Sequence, residues 1–303
     1  MTKTNSPLVT IFTPIFNTGR YVLKTLQSIK SQTYTNIEHI LIDDASTDNS
    51  FEIVKKWIKE NNYNCNLIKN DTNKGLVWNV NYALNLSKGY YFYCIGDDII
   101  DSNFIDTYVN EFKNCEKDIA LLFSNYYEID KNDNIIKKPS TKVKLNEFNK
   151  ISAYEQFKTL LSGNFICAPT IFTIKDLIVS IGGYDVNYSA EDIQLTLNLT
   201  KNGYKLKHLE DITLTYYRIR SNSITGLSKS RGSVAPLKFY FQYLNIEKEI
   251  NDILAPRYYY WTKRLLMYER YKDLNWPWLT FKLNKDFKSF LLIVQAIYNK
   301  VKY

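Results

Sequence analysis

The first hundred residues alternate short apolar runs with amphipathic segments, and this alternation constrains the fold more than any other feature. Four apolar runs have the length and the β-branched or aromatic content of buried strands; they lie at residues 8–12, 37–42, 65–68 and 90–95. Helical patterns separate them at residues 21–31, 48–60 and 77–86. Such alternation predicts an α/β fold, with a central, mostly parallel sheet flanked by helices.

Acidic residues follow two of these strands. Asp43 and Asp44 come at the end of the second strand, and Asp97 and Asp98 follow the fourth. In open α/β sheets, ligands bind at the edge where the carboxyl ends of parallel strands meet. The loop after the first strand lacks the glycines of a dinucleotide-binding fingerprint, and no P-loop pattern occurs in the chain. We therefore expect Mn²⁺ or Mg²⁺ on Asp97 and Asp98 to hold a polyphosphate ligand.

The pattern becomes irregular after Asp98. Strands are predicted at residues 119–127, 170–174, 204–209 and 212–217, and helices at residues 104–112, 153–161 and 192–201. Residues 130–149 are polar and indicate a loop or hairpin. From about residue 236 onward the chain is helical, aromatic and basic, which places a domain boundary near residue 233.

Charge, cysteine spacing and the length of apolar runs limit the ligands and the cellular location that we expect. The 303 residues carry a net charge of +8 and include four cysteines. No basic stripe with interleaved aromatic residues occurs in the first 230 residues, so we do not expect nucleic acid as a ligand. The cysteines lack CxxC spacing and the N-terminus lacks a signal-peptide pattern, which predicts reduced thiols and a cytoplasmic location. No apolar run reaches the roughly 18–20 residues that a membrane span needs.

Five blocks occur in the order and spacing of a known family. They are residues 8–17 (LVTIFTPIFN), 28–34 (SIKSQTY), 36–50 (NIEHILIDDASTDNS), 73–89 (NKGLVWNVNYALNLSKG) and 96–98 (GDD). They resemble the successive blocks of the family 2 glycosyltransferases, inverting enzymes with the Rossmann-like GT-A fold that use nucleotide-sugar donors. A second set at residues 182–185 (GGYD), 191–192 (ED) and 203–204 (GY) resembles the acceptor half of that family.

The resemblance covers about residues 7–226 and implies a domain organisation. A GT-A glycosyltransferase domain would occupy residues 1–233. Its nucleotide-sugar half would lie at about residues 7–110 and its acceptor half at about residues 111–233. Residues 234–303 would form a helical, aromatic and basic C-terminal extension outside that domain.

The resemblance also implies which residues bind the nucleotide sugar. The matching positions are Thr13, Pro14, Phe16, Asn17, Asp44, Ser46, Lys74, Asn81, Asp97, Arg218 and Arg220. Asp44 corresponds to the aspartate that hydrogen-bonds the base, usually uracil, so a UDP-sugar is the expected donor. Asp97 and Asp98 correspond to the metal-binding motif, Asp98 more directly, although Ile95 stands where that motif usually has another aspartate. Arg220 stands where histidine is common, and an arginine could pair there with phosphate oxygens.

Glu191 and Asp192 match the paired acids of the family, of which the aspartate usually serves as the catalytic base. Transfer with inversion needs a carboxylate that takes the proton of the acceptor hydroxyl as it attacks the anomeric carbon. Adjacent carboxylates also repel each other, which can raise one pKa and suit a base. The alternative is that both residues only favour the positive N-terminus of a helix.

The resemblance and the acidic clusters together predict an inverting, metal-dependent glycosyltransferase. It would move a sugar from a UDP donor to a saccharide or lipid-linked saccharide acceptor in surface polysaccharide synthesis. One alternative is a non-catalytic nucleotide-sugar-binding or scaffold subunit of a glycan-assembly complex. Another is a nucleotidyltransferase, but that class would want a glycine-rich, basic loop after the first strand.

The C-terminal extension leaves two interpretations open. In its last helix, one face carries Phe287, Phe290, Leu291, Val294, Tyr298 and Val301. This face could pack on the catalytic domain or on a second subunit. A basic, aromatic, amphipathic helix could instead contact a membrane surface, which would place the protein peripherally on the inner face of the cell membrane.

Overall fold

The computed structural model describes residues 6–139, 145–188, 190–220, 235–268 and 273–302. The chain divides into two compact units. The first comprises Met1–Phe157 and Phe165–Arg218, and the second comprises Lys158–Asn164 and Ile219–Tyr303. The domain boundary near residue 233 falls outside the described residues and stays a prediction.

The first unit begins with the predicted parallel part of a sheet. Its strands are β1 (Val9–Ile15), β2 (Ile37–Asp43), β3 (Asn66–Lys69) and β4 (Tyr91–Cys94). They are connected by helices α1 (Val22–Lys30), α2 (Ser50–Glu60) and α3 (Leu76–Leu86). β1 pairs in parallel with both β2 and β4, and β2 pairs in parallel with β3. The carboxyl ends of all four strands therefore lie on one edge, as the sequence predicted.

β1 runs further than the apolar pattern indicated. Thr13, Pro14 and Ile15 pair with β2, and the Asp44 N–H donates to the Ile15 carbonyl oxygen at 2.8 Å. Pairing with β4 has already stopped at Phe12, so the proline stands where one side of the ladder has ended, a place that tolerates its missing N–H. The first strand, predicted to end at residue 12, therefore ends at Ile15, and the loop after it begins at residue 16.

The remaining strands of the first unit extend the same sheet. They are β5 (Ile99–Ile100), β6 (Ile119–Ile129), β7 (Ile135–Lys137), β8 (Phe172–Ile174) and β9 (Lys205–Arg218). The strand order is β3-β2-β1-β4-β8-β6-β9-β5, and β7 forms a hairpin with β6. β6 and β9 are parallel, whereas β8 is antiparallel to both β4 and β6. The helices of this part of the chain are α4 (Phe104–Lys113), α5 (Ala153–Ser162), α6 (Lys175–Ser180) and α7 (Glu191–Lys201).

β9 is one long strand where two were predicted. Glu210 and Asp211 interrupt the apolar pattern, which is why the sequence indicated two strands. A bulge absorbs the interruption, because Ser124 of β6 pairs with Leu209 whereas the next residue, Asn125, pairs with Thr213. The Asn125 side-chain amide donates to the Glu210 carbonyl oxygen at 2.6 Å and so satisfies the bulged backbone.

Aromatic rings form much of the core beneath the carboxyl edge of the sheet. Tyr93 of β4 and Tyr108 of α4 both contact Phe172 of β8, with ring centroids 6.2 and 5.5 Å apart, and all three are fully buried. A buried tyrosine needs a partner for its hydroxyl. The hydroxyls of Tyr93 and Tyr108 donate to the carbonyl oxygens of Pro169 and Thr170 at 2.9 and 3.1 Å. These two hydrogen bonds hold residues 169–170 against β4 and α4.

The second unit contains the C-terminal helices that the sequence predicted. They are α8 (Ala235–Phe241), α9 (Lys248–Tyr268), α10 (Asn275–Asn284) and α11 (Phe287–Lys302). Leu292 and Ala296 of α11 pack with Leu266 of α9, and Thr262 of α9 hydrogen-bonds Thr280 of α10 at 2.8 Å. Among the described residues, none of these helices or those of the first unit combines the length and the apolar character that a membrane span requires.

Gly89 provides a test of the packing between β1 and the start of β4. A Cβ added at Gly89 would stand 2.5 Å from Thr10 N and 2.6 Å from Thr10 Oγ1, far inside van der Waals contact. We expect Gly89→Ala to lower the free energy of unfolding by about 3 kcal/mol, because the backbone of a central strand must shift. Chemical denaturation measures this change.

Gly163 is the matched control for that substitution. A Cβ at Gly163 would have its nearest neighbour, Arg257 Nη1, at 4.0 Å. Gly163→Ala should therefore change the free energy of unfolding by less than about 1 kcal/mol. Similar losses in the two variants would contradict the packing described for Gly89.

Candidate active site

The Asp44 carboxylate is held by the loop that leads into α3. Its Oδ1 accepts hydrogen bonds from Lys74 N at 2.7 Å and Asn70 Nδ2 at 2.9 Å, and its Oδ2 accepts one from Gly75 N at 2.8 Å. Burial alone would raise the pKa of Asp44, but these hydrogen bonds outweigh it and leave the pKa below its ordinary value. Asp44 therefore stays ionised, and its position at the end of β2 is well defined.

Asn17 joins the loops that follow β1 and β2. It adopts a left-handed backbone conformation with φ of 53°, which asparagine tolerates better than most residues. Its Oδ1 accepts hydrogen bonds from Thr47 N at 2.9 Å and Asp48 N at 3.3 Å, and its own N–H donates to Ser46 Oγ at 3.1 Å. The structure thus brings the predicted residues Asn17 and Ser46 together, beside an exposed Phe16.

Thr13 and Pro14 lie inside β1 rather than in the loop after it. The Thr13 hydroxyl is fully buried and hydrogen-bonds the His39 Nε2 at 2.9 Å. His39 Nδ1 in turn lies 3.0 Å from the Tyr63 hydroxyl, and burial lowers the pKa of this histidine to about 3. The Thr13 side chain therefore belongs to a neutral polar network in the interior.

The turn after β4 carries Asp97 and Asp98 and is anchored by Arg218 at the end of β9. Asp98 Oδ1 accepts a hydrogen bond from Arg218 N at 2.7 Å, and the Asp98 carbonyl oxygen accepts one from Thr25 Oγ1 at 2.8 Å. Arg218 Nε donates to the Asp97 carbonyl oxygen at 2.9 Å. Asp98 is almost completely buried. These bonds define the conformation of the acidic turn.

The Arg218 guanidinium, whose side chain is 0% exposed, also engages the tip of the β6–β7 hairpin. Its Nη1 lies 2.6 Å from Asp133 Oδ1 and donates to the Asp130 carbonyl oxygen at 3.0 Å. Its Cζ stands 4.7 Å from the centre of the Tyr21 ring, a cation–π contact. The resemblance placed Arg218 at the nucleotide sugar. The contacts of its guanidinium given above are all with groups of the protein itself. Its role toward a ligand stays a prediction.

Glu191 and Asp192 are the first two residues of α7 and are half-buried. Burial, together with the charge of Asp192, raises the pKa of Glu191 to about 8. Glu191 therefore carries a proton at neutral pH. The repulsion between the adjacent carboxylates thus adds to the larger effect of burial.

Asp98, after β4, and the acidic pair Glu191 and Asp192 of α7 lie near the same two cysteines of the first unit. Burial is the main cause of the raised pKa of the Cys94 thiol, and the charges of Glu191 and Asp98 add to it. The Cys167 thiol responds in the same way to burial and then to Asp98 and Asp192. Carboxylates from the end of β4 and from the start of α7 therefore lie close enough to act on the same thiols.

Asn81 of α3 connects the two halves of the first unit. Its Nδ2 donates to the Tyr184 carbonyl oxygen at 2.7 Å, and its Oδ1 accepts a hydrogen bond from Tyr184 N at 3.0 Å. The neighbouring Asp185 N–H donates to Gln194 Oε1 of α7 at 2.8 Å. The side-chain amide of Asn81 is thus used to position the loop before α7, whereas the resemblance placed it near ribose and diphosphate.

Some of the residues that shape this site were not found from the sequence. Asn70 follows β3 and holds Asp44, so the strand-end rule that selected Asp44 would also have selected it. Gln194 had no such signal, whereas Tyr184 belongs to the GGYD block at residues 182–185, although no role was predicted for it. Arg220 belongs to the second unit. Residues 221–234, which follow it, lie outside the described residues.

Comparison with known proteins identifies the family. Residues 10–179 match the profile of Glycosyl transferase family 2, which is more than half of the chain. The chain therefore belongs to glycosyl transferase family 2, as the resemblance indicated.

Two relatives illustrate the similarity. Over 129 residues the chain is 36% identical to glycosyltransferase GlyG of Streptococcus pneumoniae serotype 4, and the match covers 42% of this chain and 42% of GlyG. Over 220 residues it is 30% identical to the UDP-Glc:alpha-D-GlcNAc-diphosphoundecaprenol beta-1,3-glucosyltransferase WfaP of Escherichia coli. That match covers 72% of this chain and 80% of WfaP. The chain thus spans less than half of GlyG but most of WfaP.

Solved structures share the fold. Residues 1–349 of S. aureus TarS, crystallised with UDP-GlcNAc, align with a TM-score of 0.60 at 20% sequence identity. The alignment covers 97% of this chain and 81% of that chain. The predicted GT-A fold, a largely parallel sheet flanked by helices, is confirmed.

The Asn81 contacts predict a specific effect of replacing its amide by a carboxylate. Asn81→Asp keeps the shape but cannot donate to the Tyr184 carbonyl oxygen, and it brings two acceptors together there. We expect a loss of about 1–3 kcal/mol in the free energy of unfolding. Asn85→Asp, an exposed position on the same helix, should change it by less than about 0.5 kcal/mol. A small effect at both positions would argue against the connection.

The raised pKa of Glu191 predicts a pH dependence of stability. The folded protein holds this proton up to about pH 8, whereas the unfolded chain releases it near the ordinary value of 4.5. Stability therefore falls as the pH rises through this window. Glu191→Gln cannot ionise, so its stability relative to the wild type should increase between pH 5 and pH 9 by on the order of 2 kcal/mol.

Thermal unfolding across that pH range measures the difference. The exposed Glu52 of α2 is the control, because Glu52→Gln leaves the titration of Glu191 intact and should follow the wild-type curve. A constant difference between Glu191→Gln and the wild type at all pH values would show that Glu191 ionises normally.

Proposed function

We propose that the chain is an inverting glycosyltransferase that moves a sugar from a UDP donor to a hydroxyl of a saccharide or lipid-linked saccharide acceptor. The observation that carries the proposal is the convergence of two acidic groups from different halves of the first unit. Asp98, after β4, and Glu191, at the start of α7, both raise the pKa of the Cys94 thiol, and Asp98 and Asp192 both raise that of the Cys167 thiol. Such a reaction needs charge control on the diphosphate side and a base on the acceptor side.

Asp97 and Asp98 would hold the divalent cation. Within the described parts of the chain, no group of three or more histidine, cysteine or acidic side chains could form a complete metal site. Two neighbouring carboxylates nevertheless fit Mg²⁺ or Mn²⁺, because these hard ions commonly take one or two carboxylates and complete their coordination with substrate phosphates and water. When bound, the ion would offset the charge of the departing diphosphate.

Asp192 would act as the base. Its carboxylate takes the proton of the acceptor hydroxyl while the hydroxyl oxygen forms a bond to the anomeric carbon. The bond from that carbon to the diphosphate breaks at the same time, and UDP leaves with the bonding electron pair. One displacement inverts the configuration, so an α-linked donor gives a β-linked product.

Glu191 would contribute by remaining neutral. Because its pKa is raised to about 8, it adds no negative charge beside the diphosphate at neutral pH. As a protonated carboxyl it can donate a hydrogen bond to a sugar or acceptor oxygen. Asp192 and Glu191 would thus divide the roles of base and hydrogen-bond donor between them.

The donor side would be built from the loops at the carboxyl ends of β1 and β2. Asp44, with its lowered pKa, would accept hydrogen bonds from a uracil base. Ser46 follows it by two residues in the same loop and accepts a hydrogen bond from Asn17 N. WfaP, the relative that matches over most of its length, is named for UDP-glucose and for a lipid-linked diphosphate acceptor. Its name supports a UDP-sugar and a lipid-linked saccharide as substrates here. Such an acceptor would place the reaction at the cytoplasmic face of the cell membrane.

The second candidate is a subunit that binds a nucleotide sugar without turnover. Ile95, which stands where the family motif usually has an aspartate, is buried with 1% exposure and offers no ligand to a metal or ribose. This candidate predicts donor binding with no release of nucleoside diphosphate.

Replacing the base distinguishes the two candidates. We expect Asp192→Asn to lower the transfer rate at least about 1,000-fold, because no carboxylate then takes the acceptor proton. The dissociation constant for the donor should change by less than about threefold, as measured by calorimetry. Asp176→Asn, in the first turn of α6, is the matched control and should retain activity. Near-normal turnover of Asp192→Asn would refute the assignment.

Release of nucleoside diphosphate from a panel of nucleotide sugars identifies the donor without a known acceptor. Metal-dependent release from one UDP-sugar, abolished by a chelator, is the expected result. Binding of that donor without release, even with acceptor glycolipids present, would favour the non-catalytic subunit.

A further inference from the structure

The C-terminal helix α11 has two apolar faces, of which one is buried. Leu292, Ile293 and Ala296 are at most 7% exposed, and Asn299 Nδ2 on the same side donates to the Leu266 carbonyl oxygen at 3.1 Å. On the opposite side, six apolar side chains are 42–83% exposed: Phe287, Phe290, Leu291, Val294, Ile297 and Val301. We call these six residues the outer face of α11. Large apolar patches of this kind mark interaction sites.

Aromatic rings extend the outer face onto α10. Trp278, which is 49% exposed, contacts Phe281 with ring centroids 5.9 Å apart. Phe281 contacts Phe290 at 5.8 Å, and Phe290 contacts Phe287 at 6.5 Å. Tryptophan and phenylalanine are the residues that proteins place at the boundary between lipid headgroups and acyl chains.

The charged residues around this face are almost all basic. Lys282, Lys285, Lys288 and Lys300 are exposed. Between residues 275 and 302 the single acidic residue is Asp286, whose Oδ1 accepts hydrogen bonds from Ser289 N at 2.7 Å and Ser289 Oγ at 2.6 Å. The Asp286 carboxylate therefore hydrogen-bonds the first turn of α11. The segment that carries the outer face thus adds a clear excess of exposed positive charge to these apolar side chains.

We propose that the outer face of α11 docks the protein on an anionic phospholipid bilayer, with the helix lying in the plane of the membrane. Its apolar side chains would enter the boundary of the acyl chains, and the lysines would meet the anionic headgroups. Two copies of the chain joined through this face would bring these lysines together, which disfavours self-association. The inference does not rest on the proposed transferase activity, and the following experiment does not measure that activity.

Flotation of the full-length chain with vesicles tests the proposal. The wild type should float with vesicles of phosphatidylglycerol and phosphatidylcholine, and much less with phosphatidylcholine alone. Each lysine near the anionic surface contributes roughly a fivefold gain in affinity. Binding should therefore weaken strongly at 1 M salt, where the screening length is only about 3 Å.

A variant of the outer face provides the specific readout. Leu291→Glu with Ile297→Glu places two charges on side chains that already contact water, so the fold should remain intact. We expect its affinity for anionic vesicles to fall at least about 100-fold. The control carries the same charge change at two exposed apolar residues of the first unit, Val179→Glu with Ile136→Glu, and should lose less than about tenfold.

Two results would overturn the proposal. One is a wild type that stays in the lower fraction with anionic vesicles under low salt. The other is a wild-type dimer in solution, detected by light scattering, that the double variant Leu291→Glu, Ile297→Glu converts into monomers, because the outer face would then be an interface between copies of the chain.

Discussion

The candidate site depends on one buried charge, the guanidinium of Arg218. Removing a charge from water costs several kcal/mol unless partners replace the lost hydration. Here Asp133, the carbonyl oxygens of Asp97 and Asp130, and the Tyr21 ring surround it. These partners come from the acidic turn, from the β6–β7 hairpin and from the start of α1. The acidic turn is therefore fixed by a residue that is distant in sequence and that ends the longest strand of the sheet.

Side-chain amides position the loop before α7 and the start of that helix. Asn81 ties α3 to the backbone of Tyr184, and Gln194 ties the next residue to α7, where Glu191 and Asp192 begin the helix. Each of these bonds joins a side-chain amide to a backbone group, and breaking one would leave that group without its partner. The position of Glu191 and Asp192 relative to α3 is thus set by packed elements. It need not be created when a substrate binds.

Much of the fold could be predicted because its signals are local. Short apolar runs in the sequence predict the strands β1 to β4. Because ligands bind at the carboxyl ends of parallel strands, these strands in turn point to Asp44, Asp97 and Asp98. The continuity of β9 could not be predicted, since the bulge is satisfied by Asn125, 85 residues away. The direction of a strand side chain is not visible in a sequence motif, so the hydrogen bond between the Thr13 hydroxyl and His39 could not be predicted. The partners of Arg218 depend on tertiary contacts in the same way.

The position of β9 in the sheet also orders the assembly of the molecule. β5, which directly follows the acidic turn, pairs with β9 across more than a hundred residues, through Ile99 with Tyr216 and Ile100 with Thr215. Pairings of such long range form late, because the loop between the partners must close first. During synthesis from the N-terminus, the loops after β1 and β2 can form while the acidic turn still lacks its anchor, Arg218. The carboxylates of Asp97 and Asp98, which we propose to hold the cation, become fixed only once residue 218 has emerged and β9 has entered the sheet.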